Sequence, residues 1–427
     1  MLGLRRLAKG IETATLLQGK TTNLYQGYLL FILALLFYSP SAFAFSSWQQ
    51  HGDALEMRGL LRGSAVALKN PDNKFFYQKR SIVALAGSGR LMVNGKYGDL
   101  LSFEMHVEQR YIPLLLQSGG RNLATQQGVE RTNLLEWRFD NRRAQLLIDR
   151  LNVQYSASKL NIKLGRQPLN LAATFYFTPN DFFAPFAAQS FYRSYKPGVD
   201  AVRADIQLAE LSQLSLISVL GYRADGLREN GWSSHIDTTR NTYLAHASTV
   251  VADFDLALLL GSVKKKLVIG GDFQGELFEW LGVRGEGHLA IPKQLVARRS
   301  VEFSLGLEHR WENSLTLRAE QFYHGGGSAT LASYSLQSES TYMARNYSAI
   351  GASYEFTPLV SADMTSLYNW LDHSSLISIY GLYSLSNESE LAFSVVKANG
   401  KRPQSSQISS EFGLYGDSLT CELRSYF

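Results

Sequence analysis

The sequence predicts an all-β chain, an antiparallel up-and-down barrel of about 16–18 strands that crosses a membrane. Three observations carry this expectation. Segments of roughly ten residues alternate apolar and polar side chains, as in Leu151, Val153 and Tyr155 against Arg150, Asn152 and Gln154. A short apolar run near the N-terminus reads as an export signal, and no later stretch reaches the ~18 uninterrupted apolar residues of a membrane helix. Short and long connections alternate, as they must in a barrel with a turn side and a loop side; a soluble sandwich has no reason to keep such a rule.

Composition narrows the alternatives. With 45% hydrophobic, 12% aromatic and 19% charged residues and 35 glycines, the chain is too apolar for disorder and rich in turn formers. The net charge of +5 is mild, and the basic residues form no dense block beyond Lys264-Lys265-Lys266 at a turn. A nucleic-acid partner needs clustering and is not expected. The single cysteine, Cys421, excludes an internal disulfide framework.

In chain order, the uncharged run Tyr28–Tyr38 (YLLFILALLFY) lies downstream of Arg5-Arg6 and Lys20, and Ala42-Phe43-Ala44 follows as a cleavage site. Residues 1–44 are therefore expected to be a signal peptide and residues 45–427 a single barrel domain. Asp53–Leu68 reads as the first strand. Arg90–Asn94 and Leu100–Gln109 flank the turn Gly95-Lys96-Tyr97-Gly98, and a polar loop spans Gln117–Arg131. The best-patterned hairpin sets Leu151, Val153 and Tyr155, then Leu160, Ile162 and Leu164, on one face across Ser156-Ala157-Ser158-Lys159. In a membrane barrel that face meets lipid.

A long aromatic loop, Pro168–Pro197, comes next. Val199–Leu208 and Leu214–Tyr222 pair, and a loop over Ala224–Arg240 follows. Further strands are expected at Thr242–Val250, Phe254–Val263, Leu267–Leu277, Phe278–Leu289, Val301–Arg310 and Leu315–Tyr323. A glycine-rich loop covers His324–Ala344. The last strands are Asn346–Phe356, Val360–Leu371, Leu376–Leu385, Glu390–Ala398, Ile408–Tyr415 and Leu419–Phe427. Aromatics near strand ends (Tyr354 and Phe356, Tyr368 and Trp370, Tyr380 and Tyr383, Tyr426 and Phe427) suit interfacial girdles.

The terminal strand, with Leu419, Cys421, Leu423, Ser425 and Phe427 on one face, resembles the C-terminal strand of Gram-negative outer-membrane barrels. There the final Phe serves as the signal read by the barrel-assembly machinery; Ser425 departs from the usual apolar residue. A second resemblance is more specific. Leu164-Gly165-Arg166-Gln167 followed by Thr178-Pro179-Asn180-Asp181-Phe182-Phe183-Ala184-Pro185-Phe186 resembles porin-like barrels, in which a Gly-Arg-Gln strand end runs into a loop carrying Pro-x-Asp and a second Pro. Pro168-Leu169-Asn170 stands where such proteins have Trp-Gly. The resemblance covers about 35 residues. It implies a passive channel for small hydrophilic solutes in the bacterial outer membrane, with lipid and the assembly machinery as partners, no cofactor, and a homo-oligomer as one option.

The candidate pore-lining residues are Arg150, Lys163, Arg166, Asp181, Phe182, Phe183 and Arg193. Arg150, Lys163 and Arg166 have two readings: a basic patch favouring anions, or lumen residues paired with Asp149, Asp205 or Glu210. The aromatic loop is a constriction, a cap on the rim, or a stacking platform for solutes. Catalytic chemistry has little to rest on. The eight histidines show no His-Glu-x-x-His or Cys/His metal spacing, and there is no nucleophile elbow. His324 and Ser328 in His324-Gly325-Gly326-Gly327-Ser328 are the nearest hydrolase pair. A closed or plugged barrel serving export or surface assembly is the other functional alternative.

Overall fold

The computed structural model describes residues 46–50, 52–112, 136–139, 144–224, 232–293, 298–335 and 342–427. The expected signal peptide, its cleavage site and the Gln117–Arg131 loop lie outside the described residues, as do parts of the loops expected at Ala224–Arg240 and His324–Ala344. The strands in order are β1 (Ser46–Gln50), β2 (Asp53–Lys69), β3 (Ser81–Tyr97), β4 (Leu101–Tyr111), β5 (Glu136–Phe139), β6 (Ala144–Ser156) and β7 (Leu160–Gln167). Next come β8 (Val199–Ala209), β9 (Ser212–Val219), β10 (Tyr222–Ala224), β11 (Trp232–Ile236), β12 (Thr242–Val251), β13 (Phe254–Val263), β14 (Lys266–Leu277) and β15 (Leu281–Pro292). The chain ends with β16 (Ser300–Arg310), β17 (Thr316–His324), β18 (Asn346–Thr357), β19 (Val360–Asn369), β20 (Ser375–Ser386), β21 (Ser389–Asn399) and β22 (Asp417–Tyr426).

Eighteen of these strands pair antiparallel with their neighbours in a closed ring. Closure is made by β22 against β2, from Leu60 opposite Tyr426 to Lys69 opposite Asp417. No sheet edge is left to face an apolar medium, the condition for strands to cross a membrane. The short strands β1 and β5 are fillers: β1 pairs with Asp53–Met57 of β2 beyond the end of β22, and β5 with Ala144–Leu147 of β6 beyond the end of β7. β10 and β11 form a separate ribbon.

The period-2 pattern of the β6–β7 hairpin sorts as expected. Leu151, Val153, Tyr155, Ile162 and Leu164 are exposed on the outer face, while Asn152 is buried on the inner one. The same outward apolar band continues through Leu258 and Leu260, Leu305 and Leu307, Ile350 and Ile379.

One rim carries only tight connections, such as 157–159, 210–211, 358–359 and 387–388. The other carries the long ones, 70–80, 168–198, 325–345 and 400–416, with tight exceptions at Lys264-Lys265 and 370–374. Two of the two-residue turns, Ala252-Asp253 and Lys264-Lys265, place both residues at positive φ, as do Phe278 and Glu279 in the three-residue turn 278–280. That conformation matches the right-handed twist of the flanking strands.

Several expected boundaries are corrected. Phe278 belongs to a turn, and its strand starts at Leu281. β3 starts at Ser81 rather than Arg90, because small residues (Ala84, Ala86, Gly87, Gly89) hide its alternation. Ile408–Tyr415 is no strand: Phe412–Leu414 form a buried 3-10 turn in the 400–416 loop. Phe356, Trp370 and Tyr383 are exposed as girdle residues should be, but Tyr380 is buried and faces inward.

Candidate functional site

The lumen is organised by the loop 168–198, and its launch point explains the Gly-Arg-Gln strand end. Gly165 adopts φ +117, a region open to glycine, and a Cβ there would collide with the Leu151 carbonyl. Arg166 Nη1 donates to both Asp200 carboxylate oxygens at 2.9 Å, tying β7 to β8 at the root of the loop. The buried Gln167 amide donates to the Lys163 and Ala201 carbonyls at 3.0 and 3.1 Å. The strand end is thereby locked just where the chain leaves the wall.

From there the loop folds into the barrel. Its first half is held through its main chain. Glu286 of β15 accepts from the N–H groups of Ala173 (2.5 Å), Thr174 (2.9 Å) and Asn180 (2.9 Å). Glu320 of β17 accepts from those of Phe175 (2.5 Å), Tyr176 (2.8 Å) and Phe177 (3.0 Å). Both carboxylates are buried on the inner wall. Charged acceptors make such bonds roughly twice as strong as neutral ones. Around them Phe177 stacks on Phe322 (5.0 Å, 11°), and Leu169, Leu171 and Phe183 pack on an apolar patch of β8, β9 and β12–β15.

The second half is held through side chains. Phe191 stacks on Tyr380 of β20 (5.3 Å, 15°). Tyr192 lies under two guanidinium groups, Arg62 of β2 at 4.8 Å and Arg424 of β22 at 4.0 Å. Tyr195 lies under Arg90 of β3 at 4.7 Å. Finally Arg150 donates to the Lys196 carbonyl, and Asp149 accepts from the Gly198 N–H at 3.2 Å. The loop thus touches β15 and β17 on one side of the bore and β20, β22, β2, β3 and β6 on the other.

A β-bulge supplies the last of these contacts. His106 of β4 pairs with Arg150 and Val107 with Ile148, so Asp149 is an extra residue in β6. Two consecutive charged side chains, Asp149 and Arg150, are consequently buried on the inner face. Strict alternation would have sent one of them outward.

Each sequence-derived candidate now has a place. Arg150 and Arg166 are buried and bound to Asp149 and Asp200, whereas Lys163 stays partly exposed, 3.4 Å from Glu104. Asp181 pairs with Lys196 inside the loop; burial pushes the Lys196 ammonium below its usual value and Asp181 opposes that shift. Phe182 sits edge-on to His288 at 5.0 Å, and Phe183 is buried against the wall rather than projecting into the bore. Arg193 is an internal brace: it donates to the carbonyls of Ser190, Phe175 and Ala188 and stacks over the Phe175 ring at 4.6 Å. Of the terminal residues, Leu419 is exposed on the outer face of β22, and Cys421 and Leu423 alternate with the inward-facing Glu422 and Arg424. Phe427 follows the end of β22.

His324 and Ser328 have other partners. His324 Nδ1 lies 3.1 Å from Glu302, and the Ser328 hydroxyl donates to the Ser333 carbonyl. Among the described residues no group of three or more His, Cys, Asp or Glu side chains could hold a metal ion. The sequence missed the most consequential residues, Glu286 and Glu320. Their inward position was legible from alternation, but nothing local distinguishes a carboxylate that receives a loop from one that faces water.

No protein-family model and no curated relative matches the chain. Solved structures do match in fold. OccAB4 of Acinetobacter baumannii aligns with a TM-score of 0.57 at 10% identity over 89% of this chain and 99% of its own. OccK2 (OpdF) of Pseudomonas aeruginosa, solved in complex with glucuronate, aligns with a TM-score of 0.57 at 10% identity over 87% and 98%. A BenF-like porin of Pseudomonas fluorescens gives 0.54 at 12% identity over 87% and 98%. The fold is that of outer-membrane porins. At these identities the likeness concerns the barrel and not the residues that line it.

Proposed function

We propose that the protein is a passive channel for small hydrophilic solutes in the bacterial outer membrane, with the loop 168–198 as its constriction. The observation that carries this reading is a loop folded into a closed, outwardly apolar barrel and fixed to opposite inner walls by Glu286, Glu320, Tyr192 and Tyr195. Such a loop narrows the bore without needing a cofactor, and conduction requires only a wetted path with weak, multiple contacts. The porin fold of the solved structures supports the same reading. The Gly-Arg-Gln strand end and the Pro179–Asp181 segment fit it too, because together they set where the loop departs and where it turns. Leu419, Cys421, Leu423 and the final Phe427 are proposed as the signal for the assembly machinery.

The test is reconstitution in planar bilayers. A steady unitary conductance is expected from folded protein in detergent. Persistent silence from protein whose barrel is demonstrably folded would overturn the channel reading. The contacts on both sides of the bore would then favour the alternative, a closed barrel that binds an export or surface-assembly partner.

A further inference from the structure

Resting on the channel reading, we propose that the bore is charge-balanced: it passes uncharged and zwitterionic polar solutes and does not select for anions. The basis is the pairing of the cations that line it. Arg62, Lys163, Arg203, Arg284 and Arg318, partly exposed cations of the inner wall, each have a carboxylate beside them. Arg62 lies 2.8 Å from Glu422, Lys163 3.4 Å from Glu104 and Arg203 2.8 Å from Asp205. Arg284 (3.4 Å) and Arg318 share Glu308. The deeply buried cations are matched as well: Arg90 bridges Glu108 and Asp149 at 2.7 Å each, and Arg424 contacts Glu422 at 2.6 Å and Glu390 at 3.4 Å.

Two buried carboxylates without an arginine are matched differently. Glu286 and Glu320 are turned towards loop N–H groups, which carry the positive ends of peptide dipoles.

This geometry decides the field in the bore. An isolated cation acts over a Debye length, about 10 Å at 0.1 M salt, and would hold anions along the wall. A cation with a carboxylate at 3 Å presents a dipole whose field falls away within a few ångströms, so a passing ion meets local attraction of both signs and little net preference. A solute that carries both charges, or polar groups without charge, can exchange contacts with such pairs as it moves. The ion pairs described above form no single-sign ring of the kind that produces selectivity.

The deciding measurement is the reversal potential of the full-length channel under a KCl gradient, with Glu104→Gln and Glu308→Gln alongside wild type. The wild-type K⁺/Cl⁻ permeability ratio is expected within about threefold of unity, and each substitution, by unpairing Lys163 or Arg284 and Arg318, should move it towards Cl⁻ by about fivefold. Both pairs are partly exposed, so neither change should unfold the barrel. In liposome swelling, an uncharged pentose and a zwitterionic amino acid should enter at least as fast as a monoanion of equal size. Wild-type preference for Cl⁻ of tenfold or more, a monoanion entering about tenfold faster, or no shift in Glu308→Gln would each overturn charge balance while leaving the channel reading intact. No conductance at all would overturn the channel reading, and charge balance with it.

Discussion

The two halves of the inward loop are fixed by opposite means. Residues 173–180 are held by N–H groups, which nearly every residue type possesses, pointing at Glu286 and Glu320. Residues 191–195 are held by their own aromatic rings on Tyr380, Arg62, Arg424 and Arg90. The position of the first half is therefore written in the wall and that of the second half in the loop. Substitutions in the wall should release the first half, and substitutions in the loop the second.

The largest effect is expected from the double change Glu286→Ala, Glu320→Ala. Six N–H groups lose charged acceptors, bonds worth about 1.5–3 kcal/mol each. The loop should become protease-sensitive and unitary conductance should rise by about twofold or more. A folded double variant with unchanged conductance would break the contrast. Phe177→Ala tests whether packing or hydrogen bonding dominates in that half. Removing its buried ring from beside Phe322 should cost about 3–5 kcal/mol, read as a lower thermal transition of the detergent-solubilised barrel.

Tyr192→Ala should be milder. It removes one ring from under two guanidinium groups, each contact worth about 0.5–2 kcal/mol. Noisier open-channel current without a large rise in mean conductance is the expected record. If it matched the Glu286/Glu320 double variant, the division between wall-held and ring-held halves would be wrong.

The smallest effect concerns the loops beside the constriction. Glu411, in the 400–416 loop, accepts from the Met343 N–H at 3.1 Å and the Asn369 amide at 2.7 Å, in the apolar cluster that also holds Tyr176 and Phe177. Burial pushes its carboxyl up to about 7, against the lowering effect of those hydrogen bonds. A carboxyl raised above its unfolded value binds its proton more tightly in the folded state, so this contribution is full below about pH 4.5 and fades as pH rises towards 7. Proteolysis of the 400–416 loop should accordingly be faster at pH 8 than at pH 5, and Glu411→Gln should flatten the difference. An equal pH response in that variant would assign the effect to another group.

The hairpin of β6 and β7 was readable because a side-chain period of two survives any environment that differs on the two faces; Leu151 to Leu164 needed only the choice between lipid and protein core. The rim rule was readable too, since turn residues and connection lengths are local. What escaped was non-local or broke the period. Asp149 enters the lumen through a bulge set by its partner strand, and β3 hides behind alanine and glycine. Ile408–Tyr415 has strand-like composition but is used for packing. Glu286 and Glu320 lie more than a hundred residues from the N–H groups they receive, and no spacing in the chain announces that meeting.

Main-chain anchoring leaves the side chain of Ala173 uncommitted to the job of holding the loop in place, whereas Thr174, Phe175, Tyr176 and Phe177 also bond or pack. Mutation can then exchange what position 173 presents to a solute while the wall carboxylates keep the backbone where it is. Proline is the exception, having no N–H to offer. Lineages built on such a tether can explore new solutes by single substitutions, without first having to evolve a new way of bending the loop inward.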